Sequence, residues 1–165
     1  VAVVAFEFGG MRCQPLRRAL VLSERVSMAV GIKVGCITDE IGTPDFFHAF
    51  FSTVSANLEV NGWGTRFPIL MSKLYQGRLE PNFADIAIME LRQIQRELCC
   101  LTPDKVVWDI ESRSKLPPWG QEISPDIRSL GDYFITSTGR DLISTLIEAL
   151  EDASTNLKSV LVVEY

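Results

Sequence analysis

The eight residues Val-Gly-Ile-Lys-Val-Gly-Cys-Ile at positions 30–37 decide the fold class. They are apolar and β-branched with small or polar residues interleaved, the composition of a strand that buries most of its length. On their C-terminal side the period changes. Thr43-Pro44-Asp45 reads as a helix start: a hydroxyl to cap the first free amides, a proline in the first turn, and a carboxylate at the positive end of the dipole. Phe47, Phe50, Phe51, Val54 and Leu58 then recur at helical spacing to about Val60, where Asn61-Gly62 ends the run. A buried strand feeding an apolar-faced helix requires both to share one core.

Toward the N-terminus the pattern dissolves. Residues 1–27 mix a short apolar run, two adjacent glycines and an arginine-rich patch, with no sustained period. Glu24-Arg25-Val26-Ser27 can be encoded by a purine-rich, ribosome-binding-like stretch just before a Met28 codon. The expectation is that residues 1–27 are a non-native or poorly structured extension and that residues 28–165 form a single α+β domain. The apolar start precedes Arg12, Arg17 and Arg18, the reverse of the order in a secretory signal.

Toward the C-terminus, Gly62-Trp63-Gly64-Thr65-Arg66-Phe67-Pro68 is a turn-rich connector, followed by a short helical or irregular stretch over 69–76. Pro81-Asn82 opens a second long helix with Ala87, Leu91, Ile94, Leu98 and Leu101 on its inner face and Glu90, Arg92, Arg96 and Glu97 outside. Residues 106–110, Val-Val-Trp-Asp-Ile, read as a strand, and 111–129 as a long polar loop holding Pro117-Pro118-Trp119-Gly120. Another strand is expected over 132–136. Thr138-Gly139-Arg140-Asp141 starts a last helix striped by Leu142, Ile143, Leu146, Ile147, Leu150 and Ala153. A final strand spans 159–164. The expected architecture is α+β: a small mixed sheet of about four strands, with helices packed mainly on one face.

Composition narrows the function. The net charge of −5 argues against nucleic-acid binding, which needs a basic stripe to displace counterions, and is compatible with a basic protein partner. No apolar run approaches the roughly 20 residues that cross a bilayer, so no membrane role is expected and the expected location is the cytoplasm. Cys13, Cys36, Cys99 and Cys100 lack metal-site spacing, and one histidine makes a zinc centre a poor expectation. The expected state of the thiols is reduced. No metal and no cofactor is expected.

Catalytic motifs are weak. His48 lies among Phe46, Phe47, Phe50 and Phe51 and reads as a structural helix residue. Asp39 and Glu40, adjacent on an extended chain, point to opposite faces, whereas Asp109 and Glu111 would share one. Ser137-Thr138-Gly139-Arg140 could cradle an anion but lacks a phosphate-loop lysine and reads better as a cap. Trp63 and Trp119 stand out because both sit in Gly/Pro-rich connectors, where a tryptophan is either a core plug or a binding anchor.

From Val30 to Tyr165 the chain resembles the Immunity protein 70 family of bacterial polymorphic toxin systems. The likeness is carried by Val30 to Gly35, Thr38 to Gly42, Phe46 to Phe51 and Gly62 to Pro68. It continues through Tyr75-Gln76-Gly77, Pro117 to Gly120 and Thr136 to Leu142, in that order and spacing. The resemblance implies a small α+β protein, encoded beside a toxin, that binds the toxin stoichiometrically in the producing cell. It implies no catalytic residues and does not say which residues touch the toxin. The residues themselves suggest Trp119 as first anchor, with Asp109, Glu111, Glu122 and Asp126 as an acidic rim and Trp63 as a second anchor. Two other classes stay open: a small enzyme whose carboxylates and serines converge only in the fold, and a ligand-binding regulatory module built around an apolar pocket.

Overall fold

The computed structural model describes residues 28–165, so the extension expected over residues 1–27 lies outside the described residues. β1 (Val30–Val34) is shorter than the expected strand. Gly35 adopts a left-handed φ of 61°, which costs a residue without a Cβ nothing, and with Cys36 it turns the chain back into β2 (Ile37–Gly42). Residues 30–42 are therefore an antiparallel hairpin, with Val34 opposite Ile37 and Ile32 opposite Asp39. A bulge leaves Ile41 without a partner on β1 and drops its side chain into the core.

α1 (Pro44–Leu58) begins as expected, with the Thr43 hydroxyl accepting the Phe46 amide at 3.2 Å. A π-helical turn (Leu70–Leu74) and the two-residue β3 (Arg78–Leu79) follow. After one 3-10 turn at Pro81–Phe83 comes α2 (Ala84–Leu98). α3 (Leu142–Asn156) is capped by Asp141 itself, whose carboxylate accepts the Ser144 amide at 2.7 Å. Leu157 in the left-handed region ends α3, and β4 (Val160–Glu164) closes the chain.

The α+β class and the four-strand sheet are as expected, with order β2-β1-β4-β3. Its pairings are all antiparallel among the described residues, rather than mixed. Two expected strands are absent from it, and each has a physical reason. Residues 106–110 satisfy their backbone through side chains of α1: Thr53 Oγ1 bonds both the amide and the carbonyl of Val107, and Ser52 Oγ accepts the Ile110 amide. Asp109 and Glu111 therefore share no strand face. Residues 132–136 leave the end of a 3-10 turn (Leu130–Asp132) and make one isolated bridge, Ile135 to Asp141. Their aromatic content serves packing, since Phe134 lies edge-on to Phe50 at 5.3 Å.

α2 and α3 bury most of the stripes read from the sequence, including Leu91 and Leu146, but Leu101 lies past the end of α2 and, like Ile147, is only half-buried. Glu90, expected outside, turns inward, where its carboxylate accepts the Ile69 and Leu70 amides at 3.3 and 2.9 Å. Burial pushes its carboxyl above the ordinary range. α1 is buried along most of its length, and residues 105–110 are hydrogen-bonded to one flank of it through Ser52, Thr53 and Asn57. No helix among the described residues is long and apolar enough to cross a membrane.

Candidate functional site

Beside α1 stand two loops, each presenting a tryptophan. The first leaves the C-terminal end of α1. Glu59 is buried, and its carboxylate accepts the amides of Gly64, Arg66 and Phe67 at 2.8, 3.1 and 3.0 Å. Three fixed donors on one carboxylate dictate the course of the Gly62–Pro68 connector, and Gly64 takes a φ of 73° to allow it. Trp63 donates its indole N–H to the Met71 carbonyl at 3.0 Å and packs edge-on against Tyr75 at 4.9 Å. It is half-buried, with one edge lining a 540 Å³ cavity shared with Val60, Ile110, Glu111 and Arg113.

The second loop runs from Trp108 to Ser129. Pro117 to Gly120 is a hydrogen-bonded turn, the Gly120 amide donating to the Pro117 carbonyl at 2.8 Å. Trp119 at its third position is 48% exposed. Its indole N–H donates to the Tyr133 hydroxyl at 3.1 Å, and its ring meets Trp108 edge-on at 5.3 Å. Tyr133, whose burial pushes its hydroxyl pKa up, touches Phe134, which reaches Phe46 and Phe50. An aromatic chain thus runs from the core to the surface and ends on Trp119. Beside this chain lies a 350 Å³ cleft whose lining includes Trp108, Tyr133, Ile123, Leu116 and Arg113.

The acidic residues differ among themselves. Glu111, Glu122 and Asp126 are exposed along the loop. The Asp109 carboxylate is engaged: one oxygen accepts the Glu111 and Ser112 amides at 3.0 and 3.3 Å, and the other lies 3.8 Å from the Lys115 ammonium. The Glu111 amide above all, then that of Ser112 and the neighbouring His48, hold its carboxyl below the usual range. Lys115 also reaches Asp45 at the start of α1, at 3.2 Å. Asp109 is thus the joint by which the second loop is fastened to α1.

His48 completes that joint. Its Nδ1 lies 2.7 Å from the Tyr75 hydroxyl, while Nε2 lies 3.1 Å from Ser52 Oγ and 3.5 Å from Asp109. Histidine, serine and aspartate do meet here, a convergence that spacing along the chain did not reveal. A nucleophilic triad needs the carboxylate on the ring nitrogen opposite the hydroxyl. In this cluster both share Nε2, and Ser52 is fully buried with its oxygen already accepting the Ile110 amide. The arrangement ties α1, the π-helical turn and the second loop together.

The remaining candidates resolve into structure. Asp39 pairs with Arg140 at 3.3 Å, and Glu40 accepts the Ser137 hydroxyl at 2.6 Å. The turn read as a potential anion cradle is therefore held against β2 by carboxylates. Among the described residues no group of three His, Cys, Asp or Glu side chains could hold a metal ion, and Cys36, Cys99 and Cys100 are free thiols. Sequence reasoning missed Glu59, Arg113 and the His48–Tyr75 pair. Only Glu59 left a local signal, a carboxylate three residues before the Gly62-Trp63-Gly64 turn.

A family model described as Immunity protein 70 matches residues 32–162. No curated protein and no solved structure matches the chain.

Proposed function

This chain belongs to the Immunity protein 70 family, and from that membership we propose that it binds the cognate toxin domain of a polymorphic toxin system in the cytoplasm of the producing cell. Neutralisation is stoichiometric: the chain covers the toxin rather than modifying it. The face that meets the toxin is the one carrying the Trp108–Ser129 loop.

The observation that carries the choice of face is the state of Trp119. It is half-exposed, yet its rotamer is already fixed by Tyr133 and Trp108. An aromatic anchor that is ordered before binding loses little conformational entropy when a partner covers it, so more of its buried area appears as affinity. Glu111, Glu122 and Asp126 supply a negative rim that steers a basic toxin domain and raises its association rate. Trp63 is a second contact at the margin, and Asp109 positions the loop.

The test is a titration of toxin activity with purified chain, using the toxin domain encoded beside it. Inhibition that is complete at one equivalent, with co-elution of the pair, supports the proposal. Inhibition by a small fraction of an equivalent, with the toxin covalently altered, would overturn it in favour of an enzyme.

A further inference from the structure

The two cavities beside the tryptophan loops have one cationic residue in common. Arg113 lines both the 350 Å³ cleft next to Trp108 and Tyr133 and the 540 Å³ cavity next to Trp63 and Val60. It stands on the ridge between them. Among the described residues it makes no ion pair, whereas Lys115 beside it is shared between Asp45 and Asp109. The ground around this guanidinium is mixed: Leu116, 53% exposed, lines the cleft with Trp108, Ile123, Asp104 and the engaged Lys115, and Val60, 98% exposed, lines the second cavity with Glu111. Further along the loop come the exposed carboxylates of Glu122 and Asp126. The face therefore sets one unpaired guanidinium against apolar and aromatic wall, with carboxylates on either side of it.

We propose that the Arg113 cleft is a docking site for a segment of the protein partner in which a carboxylate side chain is adjacent to a large apolar one. This inference rests on the reading of the loop face as the partner surface and names what the partner must present. The cleft volume is of the size that takes one aromatic side chain. A planar guanidinium pairs with a carboxylate in two parallel hydrogen bonds, and covering the apolar walls lowers the local dielectric and strengthens that pair. A partner with a basic surface and one acidic-aromatic point complements both the guanidinium and the carboxylates that flank it. A uniformly basic one would bring a cation against Arg113. The charge inversion thus sets register and rejects partners that match only the net field.

The experiment is a nuclear magnetic resonance titration of the full chain with capped dipeptides, independent of any toxin. Acetyl-Trp-Asp-amide should cause saturable shifts in the Trp108 and Trp119 indole N–H signals and in the Arg113 side chain. Acetyl-Trp-Asn-amide, which keeps the shape and removes the charge, should bind at least fivefold more weakly. Arg113→Gln, an exposed change whose fold is checked by circular dichroism, should remove that fivefold preference, and Arg113→Lys should keep part of it. Equal binding of the two dipeptides would overturn the proposal and leave an apolar cleft without charge reading. Displacement of the aspartyl dipeptide by equimolar inorganic phosphate would overturn it in favour of a general anion site. Absence of any saturable shift would overturn the site itself, while leaving the toxin titration to decide the wider function.

Discussion

The two tryptophan loops have similar composition and opposite construction. Both are rich in glycine and proline, and both project an indole beside α1. The Trp63 loop is bound from within by a buried carboxylate that takes three of its amides. The Trp119 loop has no such centre. Its backbone bonds are mostly short-range turns, Lys115 to Ser112, Gly120 to Pro117 and Ile127 to Ser124, and side chains tie it to the rest of the fold: Asp109 to His48, Lys115 to Asp45 and Trp119 to Tyr133. The contacts with Tyr133 and Trp108 keep Trp119 ordered while leaving its exposed face to a partner. A loop saturated through its backbone stabilises the fold, and one held by a few side chains can be spent on recognition.

Removing the buried carboxylate should break this comparison hardest. Glu59→Ala orphans three amides, so it should lower the unfolding free energy by about 3 kcal/mol or more in urea denaturation. Asp126→Ala in the open loop should stay within about 0.5 kcal/mol of the parent. Equal costs would show that the Trp63 loop is not organised by Glu59. The tryptophans should differ in the same sense. Trp63→Ala should cost about 2–3 kcal/mol, because its ring packs on Tyr75 and Phe51, and Trp119→Ala about 1 kcal/mol.

Charge offers a finer probe. Changing Glu111, Glu122 and Asp126 together to their amides should slow toxin association several-fold at low salt and flatten its salt dependence, with little change in dissociation. The smallest effect concerns the joint. The folded-state pKa of Asp109 is depressed, so the stability it lends is complete above its unfolded value, near 4, and is lost as pH falls through the lower folded value. Glu90, beside the Trp63 loop, has the opposite sign. Its folded pKa is raised, so protonation as pH falls through that value favours the fold. The Glu111 and Ser112 amide resonances should titrate together with a midpoint below the ordinary aspartate range. A midpoint at or above it would mean that Asp109 does not hold the loop.

The helices were legible in the sequence because their signals are local. Thr43, the phenylalanines of α1 and the stripes of α2 and α3 follow from spacing alone. The sheet was half legible. β2 is a polar edge strand without alternation, and its existence depends on the turn at Gly35, which reads equally well as part of a longer strand. Residues 106–110 have a strand's composition, but their backbone partners are side chains of α1 more than 50 residues earlier. The site divides in the same way. The rigid, exposed turn around Trp119 is visible in Pro117-Pro118-Trp119-Gly120. The engagement of Asp109 with His48 and Lys115 is a tertiary fact, and so is the meeting of two cavities at Arg113.

The claim that the Trp119 loop is the recognition element is tested most directly by the dissociation rate of Trp119→Ala from the purified toxin domain, with circular dichroism confirming the fold. The account predicts a folded variant that leaves the toxin roughly tenfold faster or more, equivalent to about 1.4 kcal/mol, while Trp63→Ala loses more stability and less binding. A folded Trp119→Ala with parental dissociation would contradict it and move the interface off this loop.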